Sequence, residues 1–259
     1  MKFTRKSLNV AALMLAATVS GVASAAPILW VGDSQGNLGT VDVASGTVNI
    51  IGNMGQSMTD IAFDPSGNLY GITFTGLYSI NPATAGTTFI GNLGTSANSL
   101  VFDSAGTLYT ANSALYSVNT STGLATLIGN GGAAYGSSGD LAFINNKLYL
   151  SSNIGNDSLV ELNTSTGVGT LIGNIGYSAV YGLATDNNIN LYGVTGTTVI
   201  GINTATGAGT TLINYGGKGL VDAWGSAFRT EAVPEPATFA LMGMGLVGLG
   251  LARRKAKTQ

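Results

Sequence analysis

The chain has 259 residues, with 39 Gly, only 8% charged residues, and neither His nor Cys. The missing side chains exclude a disulfide frame, a thiolate nucleophile, a Ser-His-Asp triad and the usual zinc sites, so any metal would be a hard cation such as Ca²⁺ held by oxygen. The formal net charge of −2 conceals an asymmetry: residues 27–233 hold only Lys147, Lys218 and Arg229 against eleven acids, a net of −8 that disfavours nucleic acid as a partner.

In chain order, residues 1–25 have the three parts of a secretory signal peptide. Lys2, Arg5 and Lys6 form a positive start, Leu8 to Val19 is mostly apolar, and Ala23-Ser24-Ala25 offers a small-x-small cleavage site. Cleavage after Ala25 is expected, because cleavage one residue later would leave Pro27 at the new terminus.

Residues 26–230 form a tandem repeat. Asn81-Pro-Ala-Thr, Asn119-Thr-Ser-Thr-Gly123, Asn163-Thr-Ser-Thr-Gly167 and Asn203-Thr-Ala-Thr-Gly207 share one turn, with Asp42-Val-Ala-Ser-Gly46 as a divergent fifth copy. Successive copies lie 39, 38, 44 and 40 residues apart. Each period holds four short strands, a to d. Strand a reads Ile61-Ala-Phe-Asp64 or Leu100-Val-Phe-Asp103, strand b reads Leu69-Tyr-Gly-Ile72 or Leu108-Tyr-Thr-Ala111, and c and d flank the shared turn. Four strands at a period near forty residues predict an all-β fold, a β-propeller of four-stranded blades.

The ends set the number of blades. Ile28-Leu-Trp-Val31 aligns with strand b, so the first unit supplies only b, c and d, and four complete units follow. Asp222-Ala-Trp224-Gly-Ser-Ala-Phe228 aligns with strand a, and its joining the first unit closes a ring of five blades without a long free edge. An open or six-bladed arrangement is the alternative. Tyr70, Tyr109, Tyr149 and Tyr192 recur at one register of strand b, which points to packing between blades rather than a sugar platform.

Departures from the repeat at the mouth where strand a begins are the candidate site. Asp60, Asp140 and Asp222 precede strand a in three blades, where Ser99 and Gly182 stand in the others. Three converging carboxylates would hold Ca²⁺, or else each caps a backbone amide. Tyr135, Tyr177, Tyr181 and Tyr215 lie in the loops between d and a, near Asn130, Asn174 and Asn214. They would offer flat apolar faces beside neutral hydrogen-bonding groups, as a glycan site requires, or else pack the rim. Asp33 and Asp157 are further loop carboxylates.

The last segment, 231–259, carries Val233-Pro234-Glu235-Pro236, an apolar run over 237–252 expected to form a transmembrane helix, and a basic stretch over 253–257 that begins with Arg253-Arg254-Lys255. Sixteen apolar residues reach roughly 24 Å as a helix, and the basic stop should remain cytoplasmic. These three parts in this order resemble the PEP-CTERM sorting signal of Gram-negative bacteria. The resemblance implies recognition and removal of the tail by an exosortase in the inner membrane, with the body exported to the cell surface or extracellular matrix. It also implies an exopolysaccharide or biofilm setting, with a polysaccharide or an envelope protein as partner.

The sequence therefore predicts an exported, non-catalytic binding protein that requires no cofactor. Two alternatives stay open: an exported glycosidase or lyase, in which the three Asp residues would have to supply the acid and its partner carboxylate, and a purely structural spacer.

Overall fold

The computed structural model describes residues 27–130, 135–186 and 188–229. Within these, twenty strands form five four-stranded antiparallel sheets. Blade 2 is β4 (Asp60–Phe63), β5 (Leu69–Ile72), β6 (Gly76–Ile80) and β7 (Thr87–Asn92). Blade 3 is β8 (Ser99–Phe102), β9 (Leu108–Ala111), β10 (Leu115–Val118) and β11 (Ala125–Gly129). Blade 4 is β12 (Ser137–Ile144), β13 (Lys147–Ser152), β14 (Ser158–Leu162) and β15 (Gly169–Asn174). Blade 5 is β16 (Val180–Asp186), β17 (Asn190–Thr195), β18 (Thr198–Ile202) and β19 (Gly209–Asn214).

Blade 1 is shared between the two ends of the body, as the sequence predicts. β1 (Ile28–Asp33), β2 (Asn37–Asp42) and β3 (Val48–Asn53) are completed by β20 (Ala223–Phe228), which pairs antiparallel with β1. The result is the expected five-bladed β-propeller. The proposed signal peptide and the 237–252 helix lie outside the described residues. No helix among the described residues is long and apolar enough to cross a membrane.

The repeated turn is legible atom by atom. Asn119 Oδ1 accepts the amides of Ser121 and Thr122 at 2.9 and 3.1 Å, and Gly123 closes the turn by donating to the Asn119 carbonyl at 2.8 Å. Gly123 takes a φ of 79°, the left-handed conformation glycine tolerates best. Blade 2 has Ala85 at this place, with a φ of 62°.

The hydrophobic core is divided into five clusters, one at each seam between neighbouring blades. Aromatic pairs knit four of them. Trp30, Tyr70, Tyr109 and Tyr192 on second strands pack against Phe63, Phe102, Phe143 and Phe228 on the first strand of the next blade, at centroid distances of 5.1–5.6 Å. Such offset and edge-on contacts are worth about 0.5–1.5 kcal/mol beyond area burial. At the fourth seam Thr185 stands where the others have Phe, and its hydroxyl donates to the Phe143 carbonyl at 3.0 Å. The recurring aromatics are thus seam residues.

A second seam device is less obvious from the sequence. Gly91 on β7 lies so close to the shared turn of blade 3 that a methyl group there would overlap the Thr122 carbonyl oxygen. Gly52 and Gly173 meet the corresponding turns of blades 2 and 5 in the same way, and at blade 4 a methyl group on the turn's own Gly167 would overlap the Gly129 carbonyl oxygen. The Ile-Gly-Asn ending of these strands is the groove that receives the neighbouring turn.

Candidate functional site

The first strands of all blades converge on the ring axis, and what they place there differs from blade to blade. Asp60, Ser99, Asp140, Gly182 and Gly225 occupy the equivalent register. Asp60 and Asp140 are fully buried. Asp60 accepts the amide of Ile61 at 2.7 Å through Oδ1 and that of Leu100, on the next blade, at 2.5 Å through Oδ2. Asp140 accepts the amide of Leu141 at 2.6 Å through Oδ1 and that of Leu183, again on the next blade, through Oδ2. The amide of Ser226 on β20 also reaches Asp140. Each carboxyl therefore ties its own blade to the next, where no strand ladder runs.

The two carboxyls also interact directly with one another. Burial pushes both well above the usual carboxylate range, and the charge of Asp140 adds to the effect on Asp60. Two interacting anions, both buried and without a basic neighbour, are not stable together.

Asp222 does not join them. It is exposed and lies one residue before β20, while the regular pairing of β1 with β20 sets Gly225 opposite Gly32 and so at the axial register, with a bulge only beyond it, between Gly32 and Asp33. Aligning Ala227-Phe228 with Ala62-Phe63, rather than Asp222 with Asp60, would have identified this register. Among the described residues no three acidic groups come together to hold a metal ion. The remaining pair does not suit Ca²⁺ either. Every one of its oxygens faces a backbone N–H donor, whereas a hard cation needs several oxygen donors in a roomier shell.

The four tyrosines do not form one face. Tyr135 is buried in the seam between blades 3 and 4, where its hydroxyl donates to the Gly167 carbonyl at 2.9 Å and burial pushes the phenol up to about 12. Tyr215 is fully buried between blades 5 and 1 and donates to the Gly196 carbonyl at 3.3 Å; burial raises its phenol further. Tyr177 packs against the seam between blades 4 and 5, with its hydroxyl 2.8 Å from Thr211 Oγ1. Tyr181, on β16, is 37% exposed. Tyr135 and Tyr215 fill the seam position that Met54, Leu93 and Ile175 fill elsewhere, so they continue the repeat rather than break it.

Asp33 and Asp157 are loop organisers. Asp33 accepts the amides of Gln35, Asn37 and Val221, which anchors the approach to β20. Asp157 Oδ2 accepts Ser138 Oγ and the Val180 amide, both at 2.7 Å. An open cleft of about 200 Å³ lies between blades 2 and 3, lined by Asp64, Tyr70, Phe102, Gly106 and Thr120.

The accessible feature that repeats is the outer rim. β3, β7, β11, β15 and β19 carry no charged residue, and each exposes one large apolar side chain: Ile50, Phe89, Leu127, Leu171 and Leu212, at 44–61%. Thr and Asn flank these positions. Sequence reading overlooked the rim because it looked for departures from the repeat.

The sorting residues Val233, Pro234, Glu235 and Pro236, and the basic Arg253, Arg254 and Lys255, lie outside the described residues. Residues 232–255 match the family model of the PEP-CTERM protein-sorting motif. No curated protein matches the chain in sequence. Among solved structures, one from work on the de novo evolutionary emergence of a symmetrical protein shaped by folding constraints is similar, with a TM-score of 0.50 at 18% identity. That match covers 76% of this chain and 94% of the other, and shows the fold alone. Hydrazine synthase of Kuenenia stuttgartiensis is more distant, with a TM-score of 0.44 at 12% identity over 61% of this chain and 49% of the other. The chain is a five-bladed β-propeller followed by a PEP-CTERM sorting motif, which implies handling by an exosortase and export with a transient stay at the membrane.

Proposed function

We propose that this is an exported, non-catalytic protein of the Gram-negative cell surface or matrix, whose propeller holds a neutral polysaccharide against its outer rim. The observation that carries this reading is the rim itself: five uncharged strands with exposed apolar side chains beside Thr and Asn, on a body whose net charge is −8. Acidic polymers are repelled by such a body, whereas a neutral glycan meets apolar contact and hydroxyl or amide partners together. The composition supports a non-catalytic role, since His and Cys are missing and the two axial carboxyls are sealed from any substrate. No resident cofactor enters this reading.

The test is affinity electrophoresis of the exported body through gels containing a neutral glucan or a polyuronate. Retardation by the neutral polymer alone, relieved by the triple variant Phe89→Lys, Leu127→Lys, Leu171→Lys, is the expected result. Equal mobility in every gel would leave a spacer, and shortening of the polymer would reveal an enzyme. The sorting part is checked by the intact mass and cell fraction of the product. A species beginning near Ala26 and ending near Pro234, outside the inner membrane, is expected, whereas a full-length chain retained in that membrane would make the tail a plain anchor.

A further inference from the structure

We propose that Asp60 and Asp140 form a proton-shared clasp on the ring axis, so that the closed propeller is favoured by acidity and weakens when the pair gives its proton to solvent. The geometry supplies three reasons. Both side chains are fully buried and touch one another. Their other contacts are the amides of Ile61, Leu100, Leu141, Leu183 and Ser226, which hold the carboxyls in place but cannot neutralise a second charge. Finally, Gly225 and Gly182 place no side chain at this register on β20 and β16, while Ser99 on β8 bonds within its own sheet to Ala111. A Cβ on Gly225 would stand 2.6 Å from Asp60 Oδ1, and one on Gly182 would stand 2.6 Å from Ser226 Oγ.

No other titratable group faces the pair from the strands packed around it. β8 and β20 carry none. Tyr70 of β5 and Tyr109 of β9 are oriented toward Asp64 and Asp103, and Tyr192 of β17 toward Asp186 of β16. Tyr149 of β13 sits near Lys147 and Glu161, which bridge at 2.9 Å, and Tyr181 of β16 is exposed. Asp33 of β1 serves its own loop and Val221. One proton between two carboxyls is therefore the neutralising agent the site offers, and its loss returns it to water and leaves two anions in the core.

The sign follows from linkage. An unfolded Asp titrates near about 3.9, whereas the folded pair keeps a proton well above that, so the folded state binds more protons over the intervening range. The contribution is fully present below about pH 4 and is lost as pH rises through the pair's own proton release. Each retained proton makes the folding equilibrium constant fall by up to about tenfold per pH unit across that window.

The test uses the full-length chain in nonionic detergent, unfolded with urea at half-unit steps from pH 4 to 8. The expected result is a downward slope in the wild type that the double variant Asp60→Asn, Asp140→Asn flattens by up to about tenfold per pH unit, because Asn carries no proton to lose, whereas Asp140→Asn alone leaves Asp60 buried. Asp42, whose carboxyl is held below the usual range by amides of its own turn, acts in the opposite direction in both proteins and drops out of the comparison. Should the variant fail to fold, infrared difference spectra of the wild type decide the matter: a protonated-carboxyl band must persist in the folded protein near pH 6 and vanish on unfolding. Equal slopes in the two proteins, or no such band, would overturn the clasp. So would Ca²⁺ stabilising the wild type but not Asp140→Asn at pH 7, which would assign the pair to a cation instead.

Discussion

Replacing Gly91 by Ala is a direct test of how the blades are held together. Gly91 has an ordinary φ, so the substitution carries no conformational penalty, and removing a glycine from a strand should by itself gain about 0.5–1 kcal/mol. Against this stands the new methyl group, which overlaps the Thr122 carbonyl oxygen and presses on the backbone of the next blade. Backbone cannot rotate aside as a long side chain does, so the seam must open, loosening Leu93, Leu100 and Val118 in its core. Overpacking of this kind costs about 1–3 kcal/mol, and a clash with backbone rather than with a flexible side chain places it at the upper end. The net expectation is a loss of about 2 kcal/mol, or roughly 4–8 °C in Tm for a body of this size.

Urea unfolding followed by tryptophan fluorescence suits the measurement, because Trp30 and Trp224 both lie in blade 1, away from the altered seam. A shift seen there shows that the ring unfolds as one unit. Gly86→Ala in the same blade is the control, since its Cβ would meet nothing closer than Thr84 Oγ1 at 3.4 Å and its φ is also ordinary. It should be neutral or slightly stabilising. If Gly91→Ala and Gly86→Ala unfold within about 0.5 kcal/mol of one another, the close-approach account of the seams is wrong.

Other substitutions separate the roles assigned to the remaining residues. Tyr135→Phe, which removes the bond to the Gly167 carbonyl, should cost about 1 kcal/mol in urea unfolding without altering retention by a neutral glucan. Asp222→Asn should leave stability unchanged within about 0.5 kcal/mol, with or without added Ca²⁺, because the side chain is exposed and away from the axial pair. Glu161→Gln removes an ion pair between an exposed Lys147 and a half-buried Glu161, so the same assay should register less than about 1 kcal/mol, and less still in high salt.

Much of the architecture was readable in advance because a propeller writes its period into the chain. The Asn-x-x-Thr-Gly turn has a fixed chemistry, and Asn119 with Gly123 shows why both ends of it persist: one caps two amides, the other takes a left-handed φ. The recurring Tyr of strand b could be assigned to the seams for the same reason. The site was far less readable. Its order in the chain suggests an axial place for Asp222, but the unbroken pairing from Leu29↔Phe228 to Gly32↔Gly225 puts Gly225, three residues later, at that register. Tyr135 and Tyr215 looked irregular because aromatic residues stand out, yet they fill the same seam position as Met54, Leu93 and Ile175. The seam glycines gave no signal by themselves, since a glycine in a strand does not say which neighbour approaches it.

The axis explains why breaks in the repeat misled. Elsewhere in the ring each blade meets its neighbours in similar surroundings, so one kind of residue, such as the aromatic of the second strand, can recur around the ring. On the axis the five first strands share a single space, and one choice cannot fill it five times. Five carboxylates would repel and overlap, and five glycines would leave a void with nothing to join strands that form no ladder. The observed set resolves the conflict: two Asp residues reach across to amides of neighbouring blades, Ser99 bonds within its own sheet to Ala111, and Gly182 and Gly225 make room. Asymmetry at this point is a requirement of closure, and it arises whether or not anything binds. In a closed ring, the outward-facing positions are where a departure from the repeat, or an uncharged repetition of it, carries information about partners.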